Sequence, residues 1–459
     1  MSQLNAVILA AGKGTRMKSK KHKVLHPVCG KPMIDHIISR LEELEVSKSI
    51  LVVGHLANDL QSYLQERVQY VFQNEQLGTA HAVKQAKPLL AGSDGVTLIL
   101  HGDHPLFSKE TLEKLVTQHK ESGAAATVLT AKVENPFGYG RVIREAGGQV
   151  SYVVEQKDAN EKERQVNEIN LGTYCFDNHK LLEAIEQVKN DNAQGEYYLP
   201  DVLNILKSAE EIVGAQVIDD VDEAMGVNDR VQLAEVSSLM QKRILRKHME
   251  NGVTIIDPSS TYIEVDVEIG ADTIIEPGTH LRGHTSIGEN CHIGPQADLT
   301  NMSIQADTKI RYAVMEASEV DENVTVGPYA YVRPDTHLGA NSKIGCFVDL
   351  KKVEMGSGSK VSHLSYVGDA TVGEGVNIGC GTVTVNYDGV KKHRTQIDDH
   401  AFIGCNVNLI APVQVGEGAY VAAGSTINKD VPAESLAIAR ERQTTKMDYA
   451  KKLKPKHKK

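Results

Sequence analysis

This chain of 459 residues contains no tryptophan and 5% aromatic residues, so its cores must be built from aliphatic side chains. It also lacks any apolar run near the roughly 20 residues that span a bilayer, and the run Ala6–Ala11 is too short for a signal-peptide core. A cytoplasmic protein with no membrane partner is expected. Excess basic charge is missing as well: 50 Lys and Arg stand against 60 Asp and Glu, a formal net charge of -10. Nucleic acids and anionic membranes reward basic surfaces through counterion release, so neither is an expected partner. The cysteines Cys29, Cys175, Cys291, Cys346, Cys380 and Cys405 form no CxxC and no paired spacing. That pattern argues against a disulfide framework or a zinc site and leaves free thiols. Proline is scarce beside glycine, 14 against 38, and the placement of the glycines becomes a question about fold.

The length suggests two domains, at most three, and two patterns are present. Over residues 1–228 the strand-like runs Ala6–Ala11, Ser49–Val53 and Val96–Leu100 alternate with helical spacing over Met33–Leu44, Leu56–Gln65 and Thr79–Leu90. This alternation predicts parallel βαβ units, hence an α/β, Rossmann-like domain with ligands at the carboxyl ends of its strands. Residues 229–251 predict one uninterrupted connecting helix, capped by Asp229, with Leu233, Val236, Met240 and Ile244 on one side and Asn251-Gly252 as its stop.

From 252 to 445 the sequence is periodic. Apolar residues recur every sixth position at Ile263, Ile269, Ile275, Leu281, Ile287, Ile293 and Leu299, again from Val314 through Val320, Val326, Val332, Leu338 and Ile344 to Leu350, and again from Ile397 through Ile403, Leu409, Val415 and Val421 to Ile427. A six-residue period fits neither a helix nor a hairpin ladder, but it suits a parallel β-helix in which each hexad forms one flat side and a turn. Residues 251–430 hold 37 Val and Ile against 6 Leu, which favours strands over helices, and 21 glycines between 252 and 424 mark corners. The frame breaks near Ile304–Val314, Glu354–Val361 and Asn386–Gln396, where loops leaving the coil are expected, and such loops are where sites lie. Residues 446–459, with seven Lys and one Asp, are expected to form a disordered tail.

At the end of the first strand comes Gly12-Lys13-Gly14-Thr15-Arg16-Met17. Glycines there let backbone N–H groups approach phosphate, the positive end of a following helix would add a favourable dipole, and Arg16 and Lys23 are placed to neutralise a triphosphate. Neither the Walker loop nor the dinucleotide fingerprint is met. The longer string LAAGKGTRM with KVL, then Gln73 and Gln76-Leu77-Gly78-Thr79-Ala80, then Leu98-Ile99-Leu100-His101-Gly102-Asp103-His104-Pro105-Leu106, resembles the sugar nucleotidyltransferases in content and order. That resemblance implies a nucleotide site at Leu9, Ala10, Ala11, Gly12, Lys23, Gln73, Gly78 and Thr79, with Arg16 catalytic. It further implies sugar contacts at Gly140, Glu155 and Asn170, and Mg²⁺ held by Asp103 and Asn228.

In the periodic half, His363 follows the second frame break and a neutral imidazole suits a general base for an amine attacking a thioester. Arg333 and Lys351 are 18 residues apart, three hexads, so they stack on one side a turn apart and could hold a phosphate. With Tyr366, Asn377 and the insert Asn386-Tyr387-Asp388-Gly389, this set resembles the acetyltransferase half of the bifunctional N-acetylglucosamine-1-phosphate uridylyltransferase / glucosamine-1-phosphate acetyltransferase family, over the full chain apart from the tail. The resemblance implies a left-handed β-helix, an amino-sugar phosphate held by Arg333, Lys351, Tyr366 and Asn377, His363 as base, and acetyl-CoA contacts at Cys380, Asn386, Tyr387, Cys405, Ala423 and Arg440. It also implies a homotrimer whose acetyl sites lie between subunits. Cys380 and Cys405 stand where that family carries Ala or Ser, and His22 where it carries Pro. The expected activity is acetylation of glucosamine 1-phosphate followed by uridylyl transfer from UTP. The alternative is a nucleotidyltransferase whose β-helix only oligomerises or regulates, against which His363 and the Arg333/Lys351 pair argue.

Overall fold

A computed structural model describes residues 3–453. These fall into two compact units that divide between Gln241 and Lys242.

In the first unit the sheet runs Val213–Val217, Ala126–Lys132, Glu168–Asp177, Gly95–His101, Gln3–Leu9, Lys48–Val53, Gln69–Phe72. Along Gln3–Leu9 side chains alternate between the two faces: Ala6 and Ile8 enter one buried core, Val7 the other. Both faces are therefore covered, as the βαβ pattern requires. The sheet is not wholly parallel, because Glu168–Asp177 runs antiparallel to both of its neighbours. Buried on both sides in mid-sheet, that strand carries the same apolar signature in either direction. Helix Met33–Glu43 matches expectation, whereas the one expected over Thr79–Leu90 is two, Thr79–Lys84 and Lys87–Leu90. Pro88 lacks an N–H and restarts the helix at its own first turn.

Helix Arg230–Glu250 is continuous, and Asp229 Oδ1 accepts from the N–H groups of Val231 (2.9 Å) and Gln232 (3.0 Å) as the cap. Val236 and Ile244 are buried along it.

The second unit is a ladder of short parallel strands, each pairing with the strand one turn of the coil later. Ile263 stacks on Leu281 and Leu281 on Leu299, 18 residues apart as three hexads demand. Two of the three expected loops are absent. Asp298 pairs with Val314, 16 residues on, and Lys343 with Lys360, 17 on, so the coil takes up both frame breaks by shortening a turn at its corners. The third break is a real excursion: Ala370 pairs with Thr395, 25 residues on. Shortening also moves the core position. Met315, not Val314, stacks on Leu299, leaving Met315 0% exposed and Val314 44% exposed. In the Lys-rich tail, Tyr449–Leu453 is helical, contrary to expectation, and residues 454–459 lie outside the described residues.

This register has a direct test. Met315→Ala should lower stability by about 2–4 kcal/mol through an unfilled cavity, while Val314→Ala should stay within about 0.5 kcal/mol. Urea unfolding of both variants checks it, and a larger loss for Val314→Ala would refute the register.

Candidate active sites

The carboxyl ends of the first unit's central strands form a cleft of about 250 Å³ lined by Leu9, Ala10, Ala11, Gly12, Lys23, Gln73, Gly78, Thr79 and Asp103. The nucleotide residues anticipated from the motifs thus converge. After Gly12 the chain makes a 3₁₀ turn, Thr15–Met17, and no α-helix, because Gly14 and Lys18 both take left-handed backbone angles and close it. The expected helix dipole is absent, so positive charge must come from side chains. Gly78, with φ +119°, lies against Tyr197, whose backbone oxygen would be 2.4 Å from any added Cβ. Buried Gln73 donates to the Gly78 carbonyl at 3.1 Å, and Thr79 Oγ1 accepts from Leu199 N at 3.0 Å, fixing both segments.

Across the cleft, Lys23 Nζ bridges Asp103 Oδ2 and Asn228 Oδ1 (3.0 Å), and Arg16 also donates to Asn228 Oδ1 at 2.9 Å. Burial pushes the Asp103 carboxyl up, but the Lys23 ammonium and the adjoining His104 and His101 outweigh it and bring the carboxyl down to about 2. Asp103 therefore stays ionised. The ammonium sits between the two oxygens expected to hold Mg²⁺. Two hard oxygen donors fit an ion that keeps most of its water and takes its remaining ligands from substrate phosphate. Among the described residues, no group of three or more His, Cys, Asp or Glu is arranged as an all-protein metal cage.

Gly140, Glu155 and Asn170 also meet. The Gly140 carbonyl accepts from Asn170 N at 2.9 Å, and a Cβ on Gly140 would lie 3.2 Å from Glu155 Oε1. Burial raises the Glu155 carboxyl, with Asp158 and Asp201 adding to it. Three residues were assigned no role from the sequence: His101 and Glu196 line the cleft, and His22 caps the turn Lys23–Leu25 by accepting from Val24 N at 3.3 Å. Nothing in their spacing distinguishes them from ordinary surface or core positions.

In the coil, Arg333 and Lys351 do fall on consecutive rungs, since Val332 pairs with Leu350 and Arg333 N donates to Leu350 O at 2.9 Å. Arg333 forms a bidentate pair with Asp349, with Nε to Oδ1 at 2.9 Å. Lys392, a further cation, reaches Lys351 from the third-break insert and lowers its proton affinity. Its register lay hidden behind the insertion. That insert is a hairpin in which Tyr387 bridges Lys392, and Asp388 accepts from Val390 N and Lys391 N, both at 2.8 Å, and pairs with His393. Tyr366 accepts from Asn386 at 3.3 Å over Gly368, where a Cβ would be 2.4 Å from the Tyr366 hydroxyl. Asn377 stands apart: it stacks between Lys360 and Phe402, on a different side of the coil from Tyr366, which pairs with Asp349 and Val383.

His363 is exposed at the next corner, paired in register with Cys346. Cys380, Cys405 and Ala423 follow one edge: Asn406 N donates to Cys380 O at 2.7 Å, Gly424 N to Cys405 O at 2.8 Å, and Ala423 packs on Gly404. Arg440 reaches the same edge beside Gly424. None of the six cysteines, all among the described residues, forms a disulfide.

Both halves of the chain match known proteins. The Nucleotidyl transferase family model matches residues 5–221, and the model of Bacterial transferase hexapeptide (six repeats) matches 266–297 and 394–429. Fold and sites together define a nucleotidyltransferase joined to a hexapeptide-repeat transferase, an α/β domain followed by a left-handed parallel β-helix. Proteins named Bifunctional protein GlmU are similar end to end: that of Brevibacillus brevis is 58% identical over 100% of both chains, that of a Geobacillus species 56% over 98% of both, and that of Listeria welshimeri 54% over 99% of both. The chain belongs to the bifunctional GlmU family. A solved putative glucose-1-phosphate thymidylyltransferase from Bacillus anthracis is 21% identical at a TM-score of 0.42, covering 51% of this chain and 94% of that one, too distant a likeness to assign anything.

Removing the Lys23 ammonium removes a competitor for the Asp103–Asn228 oxygens. Lys23→Met should therefore tighten Mn²⁺ binding to the nucleotide-free protein by about tenfold or more while weakening UTP binding. Titration followed by electron paramagnetic resonance reads the first effect, and unchanged Mn²⁺ affinity would show that the ammonium does not contest the site.

Proposed function

We propose that this chain makes UDP-N-acetylglucosamine in two steps, with acetyl transfer assigned to residues 252–445 and uridylyl transfer to residues 1–228. The observation that carries the bifunctional reading is the cation cluster Arg333, Lys351 and Lys392 beside Tyr366, with an exposed imidazole, His363, on the adjoining corner. A non-catalytic coil has no need of cations gathered closely enough that two of them lower the proton affinity of the third, Lys351.

In the first step the amine nitrogen of glucosamine 1-phosphate bonds to the acetyl carbon of acetyl-CoA, the carbon–sulfur bond breaks, and coenzyme A leaves as the thiolate. The proton lost by the nitrogen passes to His363. Arg333, Lys351 and Lys392 would bind the sugar phosphate and Tyr366 the sugar, with Asn377, on another side of the coil, reaching the sugar from a neighbouring subunit. Asn386, Tyr387, the edge Cys380–Cys405–Ala423 and Arg440 would hold acetyl-CoA.

In the second step a phosphate oxygen of N-acetylglucosamine 1-phosphate bonds to the α-phosphorus of UTP, and the bond to the β-phosphate bridging oxygen breaks to release pyrophosphate. Arg16 and Lys23 would take up the charge, and Gln73, Gly78 and Thr79 would seat the uracil. Gly140, Glu155 and Asn170 would hold the sugar. Asp103 and Asn228 would bind Mg²⁺, which supplies charge neutralisation at the phosphates when present.

A homotrimer through the β-helix belongs to the same reading. Its support is a row of bulky residues in left-handed backbone at the corner that carries His363: Tyr312, Tyr329, Phe347 and Leu364. Tyr329 and Phe347 stack at 5.4 Å and lie more than half exposed, at 56% and 59%. No described helix is long and apolar enough to cross a membrane.

His363→Ala should abolish acetyl transfer and spare uridylyl transfer, and Asp103→Ala should do the reverse. The check is an assay with glucosamine 1-phosphate, acetyl-CoA, UTP and Mg²⁺, each omitted in turn. UDP-sugar should form with all four alone, and loss of both activities in either folded variant would defeat the two-site reading.

A further inference from the structure

Resting on the reading that His363 is the acetyl-transfer base, we propose that Cys346 is a positioning residue that holds the imidazole in the tautomer able to accept the amine proton. Cys346 lies in strand Lys343–Met355 and His363 in strand Lys360–Val372, and the parallel register sets them opposite each other. Cys346 Sγ is 3.5 Å from His363 Nδ1. That is an ordinary hydrogen-bond separation for sulfur, and it engages one ring nitrogen while leaving Nε2 open on an exposed side chain.

The direction of this hydrogen bond decides the chemistry. If the thiol donated to Nδ1, the ring proton would sit on Nε2, which would then have no lone pair with which to accept the amine proton. If Nδ1–H donates to the sulfur lone pair, Nε2 carries the free electron pair and receives the proton shed by the amine. Catalysis through Nε2 therefore requires the sulfur as acceptor. Backbone on either side holds the pair: Phe347 N donates to Tyr329 O at 3.1 Å just after Cys346, and Ser365 Oγ donates to the His363 carbonyl at 2.8 Å. Gly345 lets the two strands close here, since a Cβ on it would lie 1.8 Å from Ser362 O. The thiol thus needs no reactivity of its own, and its contribution is a lone pair at a fixed point.

The test compares Cys346→Val, which fills the space without an acceptor, with Cys346→Asn, which restores one. Cys346→Val should lower kcat for acetyl transfer about tenfold or more, less than the 10²–10⁴-fold worth of a general base, with KM for both substrates near wild type and uridylyl transfer intact. Cys346→Asn should recover most of kcat. Nitrogen-15 resonances of labelled His363 should report the Nδ1–H tautomer in the native protein and a mixture in Cys346→Val. Full kcat in Cys346→Val, rescue absent in Cys346→Asn, or an Nε2–H tautomer in the native protein would each overturn the proposal. His363→Ala separates the two readings: retained acetyl transfer in that variant sinks the assignment of the base itself, whereas its loss beside an indifferent Cys346→Val sinks the positioning role alone.

Discussion

Parallel backbone pairing from one turn of the coil to the next is the constraint on which the acetyl-transfer half depends. Each rung hands its register to the one above, so Ile263, Leu281, Leu299 and Met315 form one inward column and Val332 and Leu350 continue it. Side chains flanking the column have no choice of height or direction. Arg333 above Val332, Lys351 above Leu350, and Cys346 opposite His363 are all consequences of that single ladder. Where a polar residue enters the column it must be satisfied: Thr384 accepts from Gly368 N at 2.7 Å and donates to Gly368 O at 3.0 Å. The same Gly368 leaves the room that Tyr366 and Asn386 occupy, so a core repair and a site contact share one residue.

The first unit solves a different problem. A chain of net charge -10 that acts on phosphates needs local positive charge, and a few cations gather at one place in the cleft. Lys23, fixed by the His22-capped turn, and Arg16, just past the glycine loop, converge on the oxygen of Asn228. Local geometry outweighs the overall sign because Coulomb energy falls with distance and is screened beyond about 10 Å.

Much of this was legible in advance, for particular physical reasons. Hexads are visible because the inward residue repeats while its neighbours vary. The glycine loop, Asp103 and the Gln73–Thr79 segment are visible because they sit at strand ends in a fixed order. What stayed hidden involves either direction or phase. A central strand such as Glu168–Asp177 reads alike whichever way it runs. Val314 and Met315 are both apolar, so the residue lost at a corner could not be placed from the pattern. Lys392 drew no reading, and the separation of Asn377 from Tyr366 could not be read, for the same reason: sequence separation gives height along the coil only while every turn has one length, and several turns here do not.

The 25-residue turn from Ala370 to Thr395 leaves the stacking beyond it undisturbed, with Phe402 over Asn377 and Asn408 over Val383. Extra chain is vented sideways at a corner and never passed along the axis, because a solenoid couples each rung to its neighbours alone. The coil is thus mechanically partitioned: a hairpin carrying Tyr387 and Lys392 can be lengthened, shortened or rewritten without moving the column that holds His363. Substrate preference and structural integrity can change independently in such a molecule, and the corner that vents the chain is where that freedom resides.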